Sequence, residues 1–188
     1  MPSPRIRELD VLRGFAVCGI TVVNAWQHAV RRYPGPRDSP VDWAVDTLLE
    51  GRFYPIFAFL FGIGCALFLR SARERTAWPR LALLRRLLVL GVIFGLPHWM
   101  VNPGEVLLPY AIFGVVVLLP FSLLPRAAAL AGGAVIVLAA LYQGDVWLPI
   151  PGLFLLGLAL AGYGMPRWPL VPACLLGTAV TVPLTWAT

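Results

Sequence analysis

The sequence predicts an all-α fold. A single polytopic transmembrane helix bundle of six to seven spans is expected over residues 1–188, N-terminus inside, with one amphipathic interfacial helix at about 39–50. Three observations carry that expectation. First, 59% of the 188 residues are hydrophobic and only 13% charged, and the mean hydropathy is +0.80. A soluble domain of this size leaves too much surface exposed to hide so much apolar material. Second, apolar runs of about 17–25 residues are long enough to cross a bilayer. They fall at roughly 11–30, 53–70, 82–101, 105–124, 127–143, 147–164 and 169–187, and no alternating pattern suggests a barrel. Third, the 15 basic residues are all arginines, and they cluster. Arg5 and Arg7 precede the first run; Arg70, Arg73, Arg75, Arg80, Arg85 and Arg86 surround the connection after the second; Arg126 and Arg167 follow later runs. The 102–104 and 144–146 connections carry none, so positive-inside logic puts them outside, together with the 31–52 loop, whose four arginines are matched by four acids. The net charge of +6 then reflects orientation against anionic headgroups and gives no sign of a nucleic-acid partner.

Taken in order, the first run is long, carries Arg13 and lacks a small-residue cleavage site at its end. It therefore reads as a retained first transmembrane helix and not as a cleaved signal peptide. In the following loop, Ser39, Pro40 and Asp42 read as an N-cap, a first-turn proline and an acidic first turn. Val41, Ala44, Val45, Leu48 and Leu49 repeat at helical spacing opposite Asp42, Asp46 and Glu50, as an interfacial helix would. The second span, FYPIFAFLFGIGCALFLR, holds Gly62 and Gly64 at its middle. In the third, Gly91, Gly95 and His98 share a face, where small residues let helices approach closely in lipid. Cys18, Cys65 and Cys174 fall inside apolar runs without paired spacing and read as packing residues.

The first span also carries polar residues, each of which would cost roughly 2.5–3.5 kcal/mol if charged near a bilayer centre. At about 100° per residue, Asp10, Arg13, Asn24 and His28 fall within one narrow stripe, flanked by Thr21 and Gln27. Such a stripe is expected to face protein or water, because lipid cannot satisfy it. Asn24 and His28 lie about 16–27 Å beyond Asp10 and Arg13 along the helix. Topology gathers Arg52, His98 and Glu105 at the same end as Asn24 and His28. Bland readings stand beside this one: Asp10 and Arg13 as an interfacial ion pair, His28, Arg52 and Glu105 as interface markers, His98 as a structural histidine.

No nucleophile elbow or phosphate-binding glycine loop is present. Two separated histidines without a carboxylate cluster give no support for a metal site. Any chemistry rests on His, Glu, Asn and Arg.

Three stretches, RIRELDVLRGFAVCGITVVN, GRFYPIFAFLFGIG and RRLLVLGVIFGLPHWMVNPGEVLLPYAIFG, together resemble the YeiB-like family of bacterial inner-membrane proteins (domain of unknown function 418). The first two also resemble helices of heparan-alpha-glucosaminide N-acetyltransferase, and PGLFLLGLALAGYGMPRW is similar to a later YeiB-like helix. The resemblance implies a multi-pass protein of the bacterial inner membrane that moves an acyl group from cytosolic acyl-CoA to an extracytoplasmic hydroxyl or amine. It needs no tightly bound cofactor, only acyl-CoA as co-substrate. Asp10, Arg13, Gly14 and Asn24 match the first motif, Phe57, Phe61, Gly62 and Gly64 the second, and His98, Gly104, Glu105 and Tyr110 the third. On this reading His98 or His28 acts as general base and Asn24 hydrogen-bonds the thioester carbonyl. Glu105 orients a histidine, and Asp10, Arg13, Arg52 and Tyr110 bind substrate. Family members are longer, so the chain is expected to be an N-terminal portion that works as a homo-oligomer or with a missing C-terminal half. A non-catalytic transporter or lipid- or solute-binding bundle, or an inactive remnant, remains the alternative.

Overall fold

The computed structural model describes residues 7–36, 39–45, 53–102, 105–144 and 147–164, and every element among them is helical. Seven helices carry the description: α1 (Arg7–Arg32), α2 (Pro40–Ala44), α3 (Phe53–Arg73), α4 (Pro79–Val101), α5 (Leu107–Phe121), α6 (Arg126–Gln143) and α7 (Pro149–Tyr163). Of these, α3, α4 and α6 are long and apolar enough to cross a membrane, while α5 and α7 are apolar but shorter. In α1, 26 residues long, the apolar run is interrupted by the polar stripe. The expected run at 169–187 lies outside the described residues.

The short α2 shows why its start was readable. Ser39 Oγ accepts from the Asp42 N–H at 3.1 Å, and Asp42 Oδ2 accepts from the Ser39 N–H at 3.0 Å. That reciprocal pair satisfies two backbone donors that no helical carbonyl can reach. Because Asp42 folds back to cap, it is buried, while Val41 and Trp43 stand exposed. The remainder of the expected helix, to residue 50, lies outside the described residues.

Close backbone approach holds the bundle together, as expected where lipid removes the hydrophobic drive between helices. Helix α7 packs between α3 and α6. A Cβ added at Gly62 would collide with the Phe154 carbonyl, and one at Gly157 with the Phe59 carbonyl. The α3–α7 seam is therefore reciprocal, each glycine admitting the other helix's backbone. Gly133 and Gly152 pair likewise between α6 and α7. Gly91 and Gly95 of α4 receive Ala111 and Leu108 of α5, and Gly19 of α1 receives the Phe53 ring.

Two helices change pitch inside the bundle. Val89–Gly95 in α4 and Gly114–Leu118 in α5 are π-helical. Each segment ends two residues before a proline, Pro97 or Pro120. A helical proline lacks the N–H for the carbonyl four residues back and crowds that carbonyl with its ring. A wider turn relieves both problems. The wider turn also rotates the residues C-terminal to it. His98, expected on the glycine face, is exposed, whereas Gly91 and Gly95 are buried.

Candidate functional site

The chain direction puts two groups of helix ends together. The last turns of α1 and α4 meet the first turns of α3 and α5 at what we call the tyrosine end. The last turns of α3 and α7 meet the first turns of α4 and α6 at the arginine end.

At the tyrosine end, Tyr54 joins two residues that the sequence singled out. Its hydroxyl donates to Asn24 Oδ1 at 3.2 Å, and its carbonyl accepts from the Tyr110 hydroxyl at 2.7 Å. Tyr110 is only 1% exposed. Its ring packs on Phe57 (5.4 Å between centroids), Phe61 (5.7 Å) and Phe154 (5.1 Å). The aromatic motif of α3 thus forms the floor beneath a polar line running from α1 through α3 to α5. Burial of a tyrosine normally demands a partner for its hydroxyl, and the Tyr54 carbonyl supplies it.

Glu105 is also buried, with 1% exposure. Its two carboxylate oxygens accept from the Leu107 and Leu108 N–H groups at 2.7 and 2.8 Å. A carboxylate at a helix N-terminus satisfies orphan donors and meets the positive end of the dipole. The carboxylate expected to orient a histidine here holds the start of α5, and with it Tyr110 one turn on. Asn102 stands close by. Its Oδ1 accepts from Arg31 Nη2 at 2.6 Å, and its carbonyl accepts from the Glu105 N–H at 3.0 Å. Trp26 Nε1 is buried with no hydrogen-bond partner among the described residues.

Other candidates are less enclosed. His28, His98 and Asp10 are exposed, and Asn24 is half-buried. The packed face of α1 consists of Leu12, Ala16, Gly19 and Val23. At about 100° per residue that face lies roughly a third of a turn from the polar stripe. Asp10 and His28 therefore flank the seam with α3, and Asn24 at the edge of the stripe reaches into the bundle. Small residues decide this, because α1 can approach Phe53 and Leu60 only where no large side chain intervenes. Arg52, Gly104 and the side chain of Arg13 lie outside the described residues. Among the described residues no three His, Cys, Asp or Glu side chains group so as to hold a metal ion. Neither Cys18 nor Cys65 is in a disulfide.

Sequence reasoning missed Tyr54, Arg31 and Asn102. Tyr54 stood in plain view in FYPIF, but a tyrosine at the start of a span also reads as an interfacial aromatic. Arg31 and Asn102 are 71 positions apart, and no local pattern links them.

Against known proteins, residues 5–181 match the family model of the heparan-alpha-glucosaminide N-acetyltransferase catalytic domain. An uncharacterized 39.9 kDa protein from the amylase 3′ region of Bacillus acidopullulyticus is 38% identical over 162 residues, covering 85% of this chain and 46% of that protein. The uncharacterized protein YeiB of Escherichia coli is 34% identical over 123 residues, covering 57% of this chain and 29% of YeiB. The uncharacterized protein YxaH of Bacillus subtilis is 30% identical over 137 residues, covering 63% and 33%. The chain thus spans less than half the length of each of these curated relatives. No solved structure matches. The family match takes in every residue of the tyrosine end, from Asn24 to Tyr110, and the chain belongs to the heparan-alpha-glucosaminide N-acetyltransferase catalytic family as a YeiB-like member.

Proposed function

We propose that the chain is a membrane acyltransferase or its N-terminal portion. On this reading it passes an acyl group from cytosolic acyl-CoA to a hydroxyl or amine on the far side of a bacterial cell membrane. The observation that carries the reading is the catalytic-family match over residues 5–181, which covers nearly the whole chain. The reading takes the chain as multi-pass in the inner membrane with its N-terminus in the cytosol. The arginine end is then cytoplasmic, in keeping with positive-inside logic, and the tyrosine end faces outward.

The chemistry assigns each group a task. The acceptor's lone pair attacks the thioester carbonyl, a C–O or C–N bond forms, and the C–S bond breaks to release CoA thiolate. His98 or His28, both exposed, takes the acceptor proton and returns it to the thiolate. The Asn24 side chain amide donates to the developing oxyanion while its Oδ1 is held by Tyr54. Glu105 and Tyr110 act as positioning residues that fix α5 against α3.

The test is label transfer in membrane vesicles, with labelled acetyl-CoA on the cytoplasmic face and an amine acceptor outside. Replacing one oxyanion donor slows such reactions by about 10²–10³, so Asn24→Ala should cut label transfer on that scale. His98→Ala and His28→Ala should separate the base from its bystander. Full transfer by Asn24→Ala would refute its role, and solute flux without covalent label would favour a transporter.

A further inference from the structure

The arginine end carries a feature that the transfer chemistry leaves unused. A cavity of about 160 Å³ opens where the end of α3 meets the turn before α6 and the end of α7. Arg70, Arg73 and Arg126 line it together with Ser122, over an apolar wall that includes Leu69 and Leu158. Among the described residues, no carboxylate lines it. Arg126 is fixed in place: Nη1 donates to the Gly162 carbonyl at 3.2 Å, and the guanidinium lies 4.4 Å from the centroid of the Tyr163 ring. A fourth guanidinium approaches from α4, where Arg80 Nη2 donates to the Ser122 carbonyl at 3.3 Å. The Ser122 hydroxyl donates to the Leu119 carbonyl at 2.6 Å.

Like charges gathered on a concave wall repel one another unless an anion joins them. Guanidinium groups present forked N–H donors that match phosphate oxygens in pairs. The space is far above the roughly 10–15 Å³ that a single water requires, so a phosphate group fits with part of its hydration. Positive-inside bias accounts for arginines near this end, yet it does not by itself collect three of them from two helices around one cavity.

We infer that the Arg70–Arg73–Arg126 cavity is a phosphate-binding site, occupied by a phosphomonoester or diphosphate group. The chemistry fits either the nucleotide end of CoA, which rests on the acyltransferase reading above, or an anionic phospholipid headgroup, which does not. None of its lining residues belongs to the polar stripe of α1.

The test is thermal unfolding of the detergent-purified full chain with adenosine 3′,5′-bisphosphate, CoA, dephospho-CoA or adenosine, and with mixed micelles of phosphatidylglycerol or phosphatidylcholine. The variant is Arg70→Gln with Arg73→Gln; both residues are exposed, so the fold should persist. We expect the bisphosphate and CoA to stabilise the wild type more than dephospho-CoA does. The double variant should bind them at least about tenfold more weakly, since two charge-assisted contacts are lost. Stabilisation by phosphatidylglycerol alone, lost in the variant, supports the phosphate site while assigning it to lipid and removing CoA from it. No phosphate-dependent shift, or a shift that the double variant leaves unchanged, overturns the site. Label transfer would still report on the acyltransferase reading independently. As a check that needs no variant, binding of the bisphosphate to the wild type should weaken as salt rises; salt-insensitive binding counts against the site.

Discussion

The two ends of this bundle solve the problem of polar groups at a membrane in opposite ways. At the tyrosine end, partners come from the protein itself: Tyr54 bridges Asn24 and Tyr110, Asn102 receives Arg31, and Glu105 caps α5 with both oxygens. At the arginine end, three guanidiniums line a cavity where no carboxylate is found among the described residues. A satisfied network is rigid and holds its geometry before substrate arrives, which is what positioning a carbonyl requires. A cluster of one sign is unfinished and gains stability only when an anion completes it. On the proposed function and the proposed phosphate site, positioning belongs to one end and capture to the other.

The comparison fails first if the seam joining the ends is broken, and there the largest effect is expected. Gly62→Leu would drive a side chain into the Phe154 backbone, which cannot move without shifting α7. The cost should reach or exceed the upper end of the about 1–3 kcal/mol typical of overpacking. Gly14→Ala is the contrast, because nothing lies within 4 Å of its added Cβ. Losing a mid-helix glycine there should leave stability unchanged or raise it by about 0.5–1 kcal/mol. Thermal melting in detergent checks both; equal melting temperatures would mean that α3 and α7 do not pack as described.

Next in size is the carboxylate cap. Glu105→Ala strands the Leu107 and Leu108 N–H groups in a buried place, at about 1–3 kcal/mol. Glu105→Gln keeps one acceptor and should fall between that variant and the wild type. If the cap also sets Tyr110, Glu105→Ala should lower label transfer more than its melting shift explains at a temperature where it stays folded. Loss of stability without loss of transfer would confine Glu105 to the fold.

Smaller again are the bridging contacts. Tyr54→Phe removes one hydroxyl donating to Asn24, and Asn102→Ala removes one acceptor from the exposed Arg31. Each should destabilise by less than about 1 kcal/mol, and the Arg31 contact less at high salt. Combining Tyr54→Phe with Asn24→Ala should cost less than the sum of the two changes, since both remove the same hydrogen bond. Strict additivity would show that the bridge does not form.

How far these contrasts were legible in the sequence depends on the range of the physics involved. Helix extents follow from local hydropathy, so the runs at 53–70 and 82–101 anticipated Phe53–Arg73 and Pro79–Val101 closely. The Ser39 cap was readable because its partner is three residues away. Rotation about a helix axis was not readable in the same way. His98 was placed on the glycine face by a uniform turn, and the π-helical stretch Val89–Gly95 altered that turn. Pro97 carried the warning, since its missing N–H and its ring make a regular turn unfavourable there. Asn24 stood out as a polar residue within a span, but its neighbour Tyr54 became visible only when α3 was laid against α1. The arginine-lined cavity is the opposite case: its residues were counted as a topology signal, and their convergence depends on where α6 begins relative to the end of α3.

The smallest expected effect sharpens the comparison most. Arg70→Gln with Arg73→Gln should shift the melting temperature of the ligand-free chain hardly at all. Removing a like-charged pair three residues apart on α3 relieves about 0.2–0.5 kcal/mol of repulsion. Losing two cations from the last turn forfeits a favourable dipole interaction of similar size at an exposed site. The two terms oppose each other, so the net change should stay within about 0.5 kcal/mol, the usual range for surface substitutions. A clear fall in melting temperature without ligand would instead mean that these arginines hold the fold together, as the residues of the tyrosine end do. The two ends would then differ in residue type but not in kind, and capture at the arginine end would lose its physical basis.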